Sequence, residues 1–143
     1  NLVPAVRNRQ LFVSCGPFVR FSAVDDAGDE VGLGGRVATD NEGKVTFRVR
    51  VEAPAWIGVK EVRLWENGKP IDLIDVSDSL DPVVRLDTEL SVAPVDDAWY
   101  AIEVIGQGTL APVRNDTPYA LTNPIEVDAD GDGEWTPPGN KNP

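Results

Sequence analysis

The sequence of 143 residues carries 13 basic and 24 acidic side chains, which gives a formal net charge of −11. Such a surface repels a phosphate backbone, so nucleic acid is a disfavoured partner. Histidine is absent and Cys15 is the only cysteine, which removes the usual general base, an internal disulfide and thiolate metal sites. No apolar run approaches the roughly 20 residues of a membrane helix. We therefore expect one globular domain that binds neither nucleic acid nor membrane.

The amino-terminal part of the chain shows two predicted strands. Residues 1–9 are too short for a stable element, and we interpret them as a lead-in from an upstream domain. The sequence contains no methionine, which indicates a processed chain or a piece of a longer one. Strands are predicted at 10–15 and 18–24, on either side of a kink at Gly16-Pro17. An acidic, glycine-rich surface loop follows over 25–35, with 31–33 as a candidate for one short strand.

Residues 44–74 are the stretch around which the rest of the chain is organised. Apolar and polar side chains alternate over 45–52, and successive strand side chains point to opposite faces, so one face is buried. A second strand is predicted at 59–65. Asn67 and Gly68 tolerate a positive φ and predict a tight hairpin into a returning strand. We expect these three strands to form one antiparallel sheet, to which the others are added.

The remaining strands are predicted at 83–92, 98–105 and 119–127, the last one broken by a proline. No segment shows ten residues of helical apolar period, so helix content should be very low. Seven to nine short strands with frequent turns favour an all-β, immunoglobulin-like sandwich over 10–128. Residues 129–143 form an acidic tail rich in proline and glycine.

The start of this tail has the pattern of a calcium loop. Asp128, Asp130 and Asp132 occupy relative positions 1, 3 and 5, whose oxygens converge on a hard cation, and Glu134 at position 7 can add its backbone carbonyl. Position 12, where a bidentate Glu is expected, holds Gly139. A further ligand would come from a neighbouring loop, with Asp116 and Asn123 as candidates. The alternative is an exposed acidic turn that binds nothing.

Two of the four tryptophans are candidates for a binding surface. Trp65 and Trp99 lie out of phase with the more apolar face of their strands, so they are expected to point outward. Exposed aromatic faces hold sugar rings or protein partners. Three outward arginines, Arg48, Arg50 and Arg63, could form a stripe that binds an anion. We expect them instead to pair across strands with acidic side chains, for which Glu61, Glu66 and Glu103 are the candidates. Nothing in the sequence places a pair of carboxylates in a cleft.

Four segments of the chain together resemble a known family. They are FVSCGPFVRF, APAWIGVKEVRLWENGKPI, DAWYAIEVIGQG and YALTNPIEVDADGDGEWTPP, in this order. They resemble the carboxy-terminal β-domain of PHP-type (polymerase and histidinol phosphatase) metallohydrolases of the CehA/McbA group. The likeness covers nearly the whole chain and is strongest over 122–138. Cys15 stands where the pattern usually has Asn.

This resemblance implies a non-catalytic module, because the catalytic barrel of that family binds its metals through histidines and acids upstream. The module would pack on this catalytic domain of the same polypeptide, or position its substrate, and hold a structural calcium at Asp128, Asp130 and Asp132. The alternative is a secreted, calcium-stabilised module that binds carbohydrate or protein through Trp65 and Trp99. Under both hypotheses the chain is not itself an enzyme, and we expect an extracellular or periplasmic location.

Overall fold

The protein is a β-sandwich in the computed structural model, which describes residues 2–78 and 81–139. Strands make up 49% of the described residues and helix 4%, so the predicted all-β class with very little helix is confirmed. One sheet has seven strands and the other has four. Within the described ranges, no helix has the length and apolar character needed to cross a membrane.

The described residues form eleven strands and one short helix, where the sequence predicts seven to nine strands. The run 119–127 is divided in two, and a short strand at 36–38 follows the glycine-rich loop. The short strand predicted at 31–33 within that loop forms at 30–31. The elements are α1 (Leu2–Arg7), β1 (Phe12–Cys15), β2 (Phe18–Val24), β3 (Glu30–Val31), β4 (Arg36–Ala38), β5 (Val45–Glu52), β6 (Gly58–Glu66), β7 (Lys69–Asp75), β8 (Val84–Val92), β9 (Ala98–Gln107), β10 (Tyr119–Thr122) and β11 (Ile125–Asp128).

The helix α1 differs from the prediction that residues 1–9 contain no stable element. None of its six residues is buried, and Leu2, Val3 and Val6 are each more than half exposed. The helix ends because Arg9 adopts a left-handed conformation with φ of 59°, which is a common way to terminate a helix. An isolated helix of this length is unstable in water, so α1 depends on what surrounds it.

The three strands of the organising stretch do not form one sheet, so that prediction is wrong. Strand β5 pairs with β2 and β8 in the four-stranded sheet, whereas β6 pairs with β7 and β9 in the other. Residues 53–57 carry the chain from one sheet to the other. The hairpin itself forms as predicted, with φ of 50° at Asn67 and 81° at Gly68, both of which a type I′ turn requires.

The seven-stranded sheet is built around β9. One edge of β9 pairs with β6, which in turn pairs with β7. The other edge pairs with β11 and then with β10, two short strands that follow one another along β9. Strand β1 extends the sheet beyond β10, and β4 extends it beyond β11 as a parallel neighbour. This layout places residues from β6, β9, β10 and β11 side by side on the outer face.

The core lies between the two sheets. The alternating residues Val45, Phe47, Val49 and Val51 of β5 are each 3% exposed or less, as the sequence pattern predicts. The ring of Phe47 lies 4.9 Å from that of Tyr100 on β9 and 5.1 Å from that of Phe21 on β2. Burial of each such side chain contributes about 1.5–3 kcal/mol. The contact between Phe47 and Tyr100 joins the two sheets.

The outer face of the four-stranded sheet is covered by ion pairs. Arg48 bonds Glu30 at 2.7 Å and Glu89 at 3.0 Å, and Arg50 bonds Glu52 and Asp87. These partners differ from the predicted acids, because β5 lies beside β2 and β8 rather than beside β6. On the seven-stranded sheet, Arg63 does pair across strands with Glu103, as predicted, whereas its pair with Glu61 lies within β6. Exposed pairs of this kind contribute little to stability but keep the face polar.

Candidate functional site

A groove of about 540 Å³ lies on the outer face of the seven-stranded sheet. This volume falls within the range of roughly 300–1,000 Å³ that is usual for small-molecule sites. We call it the tryptophan groove, because Trp65, Trp99 and Trp135 all line it. The complete lining is Arg9, Trp65, Gly68, Trp99, Ala101, Glu103, Tyr119, Leu121, Thr122, Pro124, Glu126 and Trp135.

The groove is concave because small and large side chains meet on neighbouring strands. Strand alternation places Trp99, Ala101 and Glu103 of β9 on the same face. Ala101 lies directly opposite Trp65 of β6, so a methyl group stands beside an indole. Glu103 lies opposite Leu121 of β10. The small Ala101 therefore forms a floor between taller walls.

Hydrogen bonds within the protein hold the aromatic rings of the groove in place. The indole N–H of Trp65 donates to Glu103 Oε2 at 3.0 Å, and the Tyr119 hydroxyl donates to Glu103 Oε1 at 3.0 Å. The indole N–H of Trp135 donates to the Ala98 carbonyl at 3.2 Å. Burial, together with the Glu103 carboxylate, raises the pKa of Tyr119, so its hydroxyl stays protonated. The walls are therefore arranged before any ligand arrives.

Glu126 is the second acidic residue that lines the groove, after Glu103, and it is only 5% exposed. It accepts hydrogen bonds from Arg9 Nη1 at 2.6 Å and from Arg36 Nη2 at 3.2 Å. Burial on its own would raise the pKa of Glu126, but the hydrogen bonds and charges of the two arginines outweigh it and lower the pKa. Glu126 is therefore ionised at neutral pH, the wrong state for a general acid.

Replacing Glu126 by glutamine is expected to lower the unfolding free energy by about 1–2 kcal/mol at pH 7, because both arginines lose a charged acceptor. Since the folded pKa is depressed, this contribution is present above the unfolded pKa of about 4.3 and is lost as the pH falls through the folded value. Urea unfolding of the wild type and of Glu126→Gln at pH 7 and at pH 3 measures the difference in unfolding free energy, which should be smaller at pH 3. The exposed pair of Glu42 with Lys44 supplies the control Glu42→Gln, and equal losses in both variants at pH 7 would contradict the prediction.

The tail after β11 folds back onto the start of β9, and this places Trp135 in the groove. Asp97 accepts a hydrogen bond from the Ala129 amide at 2.8 Å and another from the Thr136 amide at 2.6 Å. Together with the bond from Trp135 to Ala98, these contacts hold the tail against the sheet. The tail therefore contributes one wall of the groove.

Three carboxylates lie close together at the base of this tail. One carboxylate oxygen from each of Asp97, Asp128 and Asp130 lies within 4.8 Å of the others. Asp128 is 4% exposed, and its oxygens accept the amide N–H groups of Gly131 at 2.7 Å and Gly133 at 2.9 Å. These three oxygens are the described atoms that offer a site for a hard cation.

Two of the four predicted metal ligands belong to this group of carboxylates. Asp128 and Asp130 are brought together, whereas Asp132 and Glu134 are exposed and lie outside the group. Asp132 instead accepts the amide of Glu134 at 2.7 Å. The further candidates Asp116 and Asn123 have other partners: Asp116 pairs with Arg114 at 2.6 Å, and Asn123 donates to the Arg9 carbonyl at 3.0 Å.

Most residues of these sites were not predicted from the sequence, among them Tyr119, Asp97 and Trp135. Tyr119 has a usable signal, because it shares the outward phase of β10 with Leu121. Asp97 and Trp135 have none, since they reach the site through contacts between distant parts of the chain. Trp65 and Trp99, which were predicted as outward residues, both line the groove.

Comparison of the chain with protein-family models, with curated proteins and with solved structures finds no match. The fold and the groove define a β-sandwich with an aromatic site on one outer face.

Proposed function

We propose that the chain is a non-catalytic binding module whose ligand occupies the tryptophan groove. The observation that supports this best is the contrast between the two outer faces. Ion pairs of Arg48 and Arg50 cover one of them. The other bears a groove with three indole side chains, and concave sites with aromatic walls and few polar groups are typical ligand sites.

A binding role is favoured over catalysis by the state of the groove's acids. The arginines around Glu126 lower its pKa, so it is ionised at neutral pH. Glu103 already accepts hydrogen bonds from Trp65 and Tyr119. Acid–base hydrolysis requires two carboxyls that are free to exchange protons with the substrate, and both carboxylates of this groove are engaged by hydrogen bonds from the protein.

As a second candidate, we propose that this module is the carboxy-terminal, immunoglobulin-like part of a PHP-type metallohydrolase and packs on its catalytic domain. The observation that favours it is α1, whose Leu2, Val3 and Val6 are 77%, 55% and 53% exposed. Apolar side chains on so short a helix gain stability by packing against a neighbour. Arg9 lines the groove and lies two residues after the end of α1, so docking through α1 and ligand binding would involve neighbouring parts of the chain. An extracellular or periplasmic location is part of the proposal.

We further propose that Asp97, Asp128 and Asp130 hold one structural calcium ion. Like charges this close repel one another, and a shared dication replaces that repulsion with attraction. Because Asp97 and Asp128 also bond the tail, an ion at this point would fasten the tail that carries Trp135. Its role is stabilisation rather than chemistry.

Indole resonances in nuclear magnetic resonance spectra test the binding role directly. A ¹⁵N-labelled chain has four indole N–H signals, from Trp56, Trp65, Trp99 and Trp135. Neutral and acidic oligosaccharides, proline-rich peptides and small aromatic compounds are added in turn. We expect one class to shift the three groove signals while Trp56, which is 58% exposed outside the groove, stays unchanged. A panel that moves none of the groove signals, or moves all four alike, would count against the proposal.

A further inference from the structure

We infer that the ligand of the tryptophan groove is a neutral oligosaccharide whose pyranose rings stack on the indole faces. This inference rests on the proposed binding function and names the class of ligand. Its support comes from the shape of the groove, its hydrogen-bonding groups and its charge.

The walls of the groove suit a sugar ring. A pyranose ring presents C–H groups on its flat face and hydroxyl groups around its edge. The groove offers aromatic walls from β6, β9 and the tail, with Ala101 as its floor. Because Trp65 and Trp135 are fixed by hydrogen bonds from their indole nitrogens, the stacking faces lose little freedom on binding.

The polar groups of the groove suit sugar hydroxyls better than the carbonyls of a proline-rich peptide. Two of the three indole N–H groups and the Tyr119 hydroxyl donate within the protein, so they do not serve as donors to a ligand. Glu103 accepts three hydrogen bonds from described residues and, as a carboxylate with about four acceptor positions, retains one. A polyproline peptide has no N–H and cannot donate to it, whereas a sugar hydroxyl can.

The rim of the groove supplies the complementary donor. Arg9 is half exposed, and its guanidinium donates one hydrogen bond to Glu126 and one to the Gly34 carbonyl. A guanidinium has five N–H donors, so Arg9 has donors left for a ligand within the described part of the chain. Hydroxyl groups both donate and accept, and they match Glu103 and Arg9 together.

Charge selects a neutral ligand. The chain has a net charge of −11, which disfavours an acidic polysaccharide. A cationic ligand gains little, because the two groove carboxylates are already paired, Glu103 with Arg63 and Glu126 with Arg9 and Arg36. A neutral sugar is not repelled by the acidic chain and does not need an unpaired carboxylate.

Calorimetric titration of the chain with cellohexaose, mannohexaose, hexagalacturonate and decaproline tests the inference. We expect at least one neutral hexaose to bind, with hexagalacturonate and decaproline at least tenfold weaker. Trp135→Ala should weaken the neutral sugar about tenfold, which corresponds to about 1.4 kcal/mol. This variant lies in the tail and leaves both sheets intact, and Trp56→Ala is the matched control that should bind as the wild type does. Trp99→Ala provides a second groove variant.

Each other outcome overturns the inference. If the acidic sugar or decaproline binds more tightly than the neutral sugars, and shifts the groove indoles, the ligand class is wrong while the binding function stands. If neutral sugars bind and neither Trp135→Ala nor Trp99→Ala weakens them, the groove is not their site. If no compound binds and none moves the groove indoles, the inference and the proposed function fail together.

Discussion

Replacing Phe47 by alanine is expected to lower the unfolding free energy by about 3–5 kcal/mol, the usual loss for a buried phenylalanine. The side chain is 0% exposed and contacts both Phe21 in its own sheet and Tyr100 in the opposite one. Its removal leaves a cavity where the two sheets meet. For a domain of this size, the loss corresponds to a fall in melting temperature of roughly 10–20 °C. Calorimetry or urea unfolding measures it.

Phe18 offers a control of the same residue type. It begins β2, the strand that also carries Phe21, but is 48% exposed and contacts Phe12 edge-on with ring centroids 5.3 Å apart. Phe18→Ala should therefore cost only about 1 kcal/mol. Similar losses for Phe18→Ala and Phe47→Ala would show that the core is not centred on the contact between Phe47 and Tyr100.

Removing calcium is expected to lower the melting temperature by several degrees. An ion bound only by the folded chain stabilises it by about 2.7 kcal/mol at a hundredfold excess over Kd. With a Kd of the order of 10⁻⁴ M, as in extracellular calcium modules, about 10 mM calcium provides that excess. Magnesium should not restore the loss fully, because it demands a more regular octahedral shell. Melting curves in chelator and in calcium measure the difference.

Asp130 is the residue at which this proposal is tested, because it is exposed and its loss should leave the fold intact. Asp130→Ala should abolish the calcium dependence. Asp132→Ala is the matched control, since Asp132 lies outside the group formed with Asp97, and it should keep the dependence. Asp128 is a poor choice because it also bonds the amides of Gly131 and Gly133. Identical melting curves with and without calcium would mean that the three carboxylates hold no ion.

The fold was predictable from the sequence wherever the signal is local. In β5, the alternation of Val45 to Val51 predicts which face is buried, and the Asn67-Gly68 turn predicts the hairpin. The sheet partners were not predictable, because alternation specifies the face of a strand but not its neighbours. Phe47 of β5 lies opposite Ala23 on one side and Leu90 on the other, and both are distant in sequence.

The same limit applies to the sites. Trp65 and Trp99 were predicted to point outward because each departs from the phase of its own strand. Trp135 lies in an irregular tail where no periodicity exists, and only its bond to the Ala98 carbonyl brings it to the groove. Asp97 likewise joins Asp128 and Asp130 because the tail folds back over the start of β9. Such long-range contacts have no counterpart in a local pattern.

Strand β11 has a consequence for how the chain is synthesised. All four of its residues are buried, and it lies between β9 and the parallel strand β4. While the ribosome has yet to release residues 125–128, β4 has no partner on this side, and the first half of β9 presents an open edge. Unpaired edges attract other chains, and pairings between distant segments form slowly. The sandwich therefore closes only after residues 125–128 have left the ribosome, and the interval before that is when these unpaired edges are most exposed to aggregation.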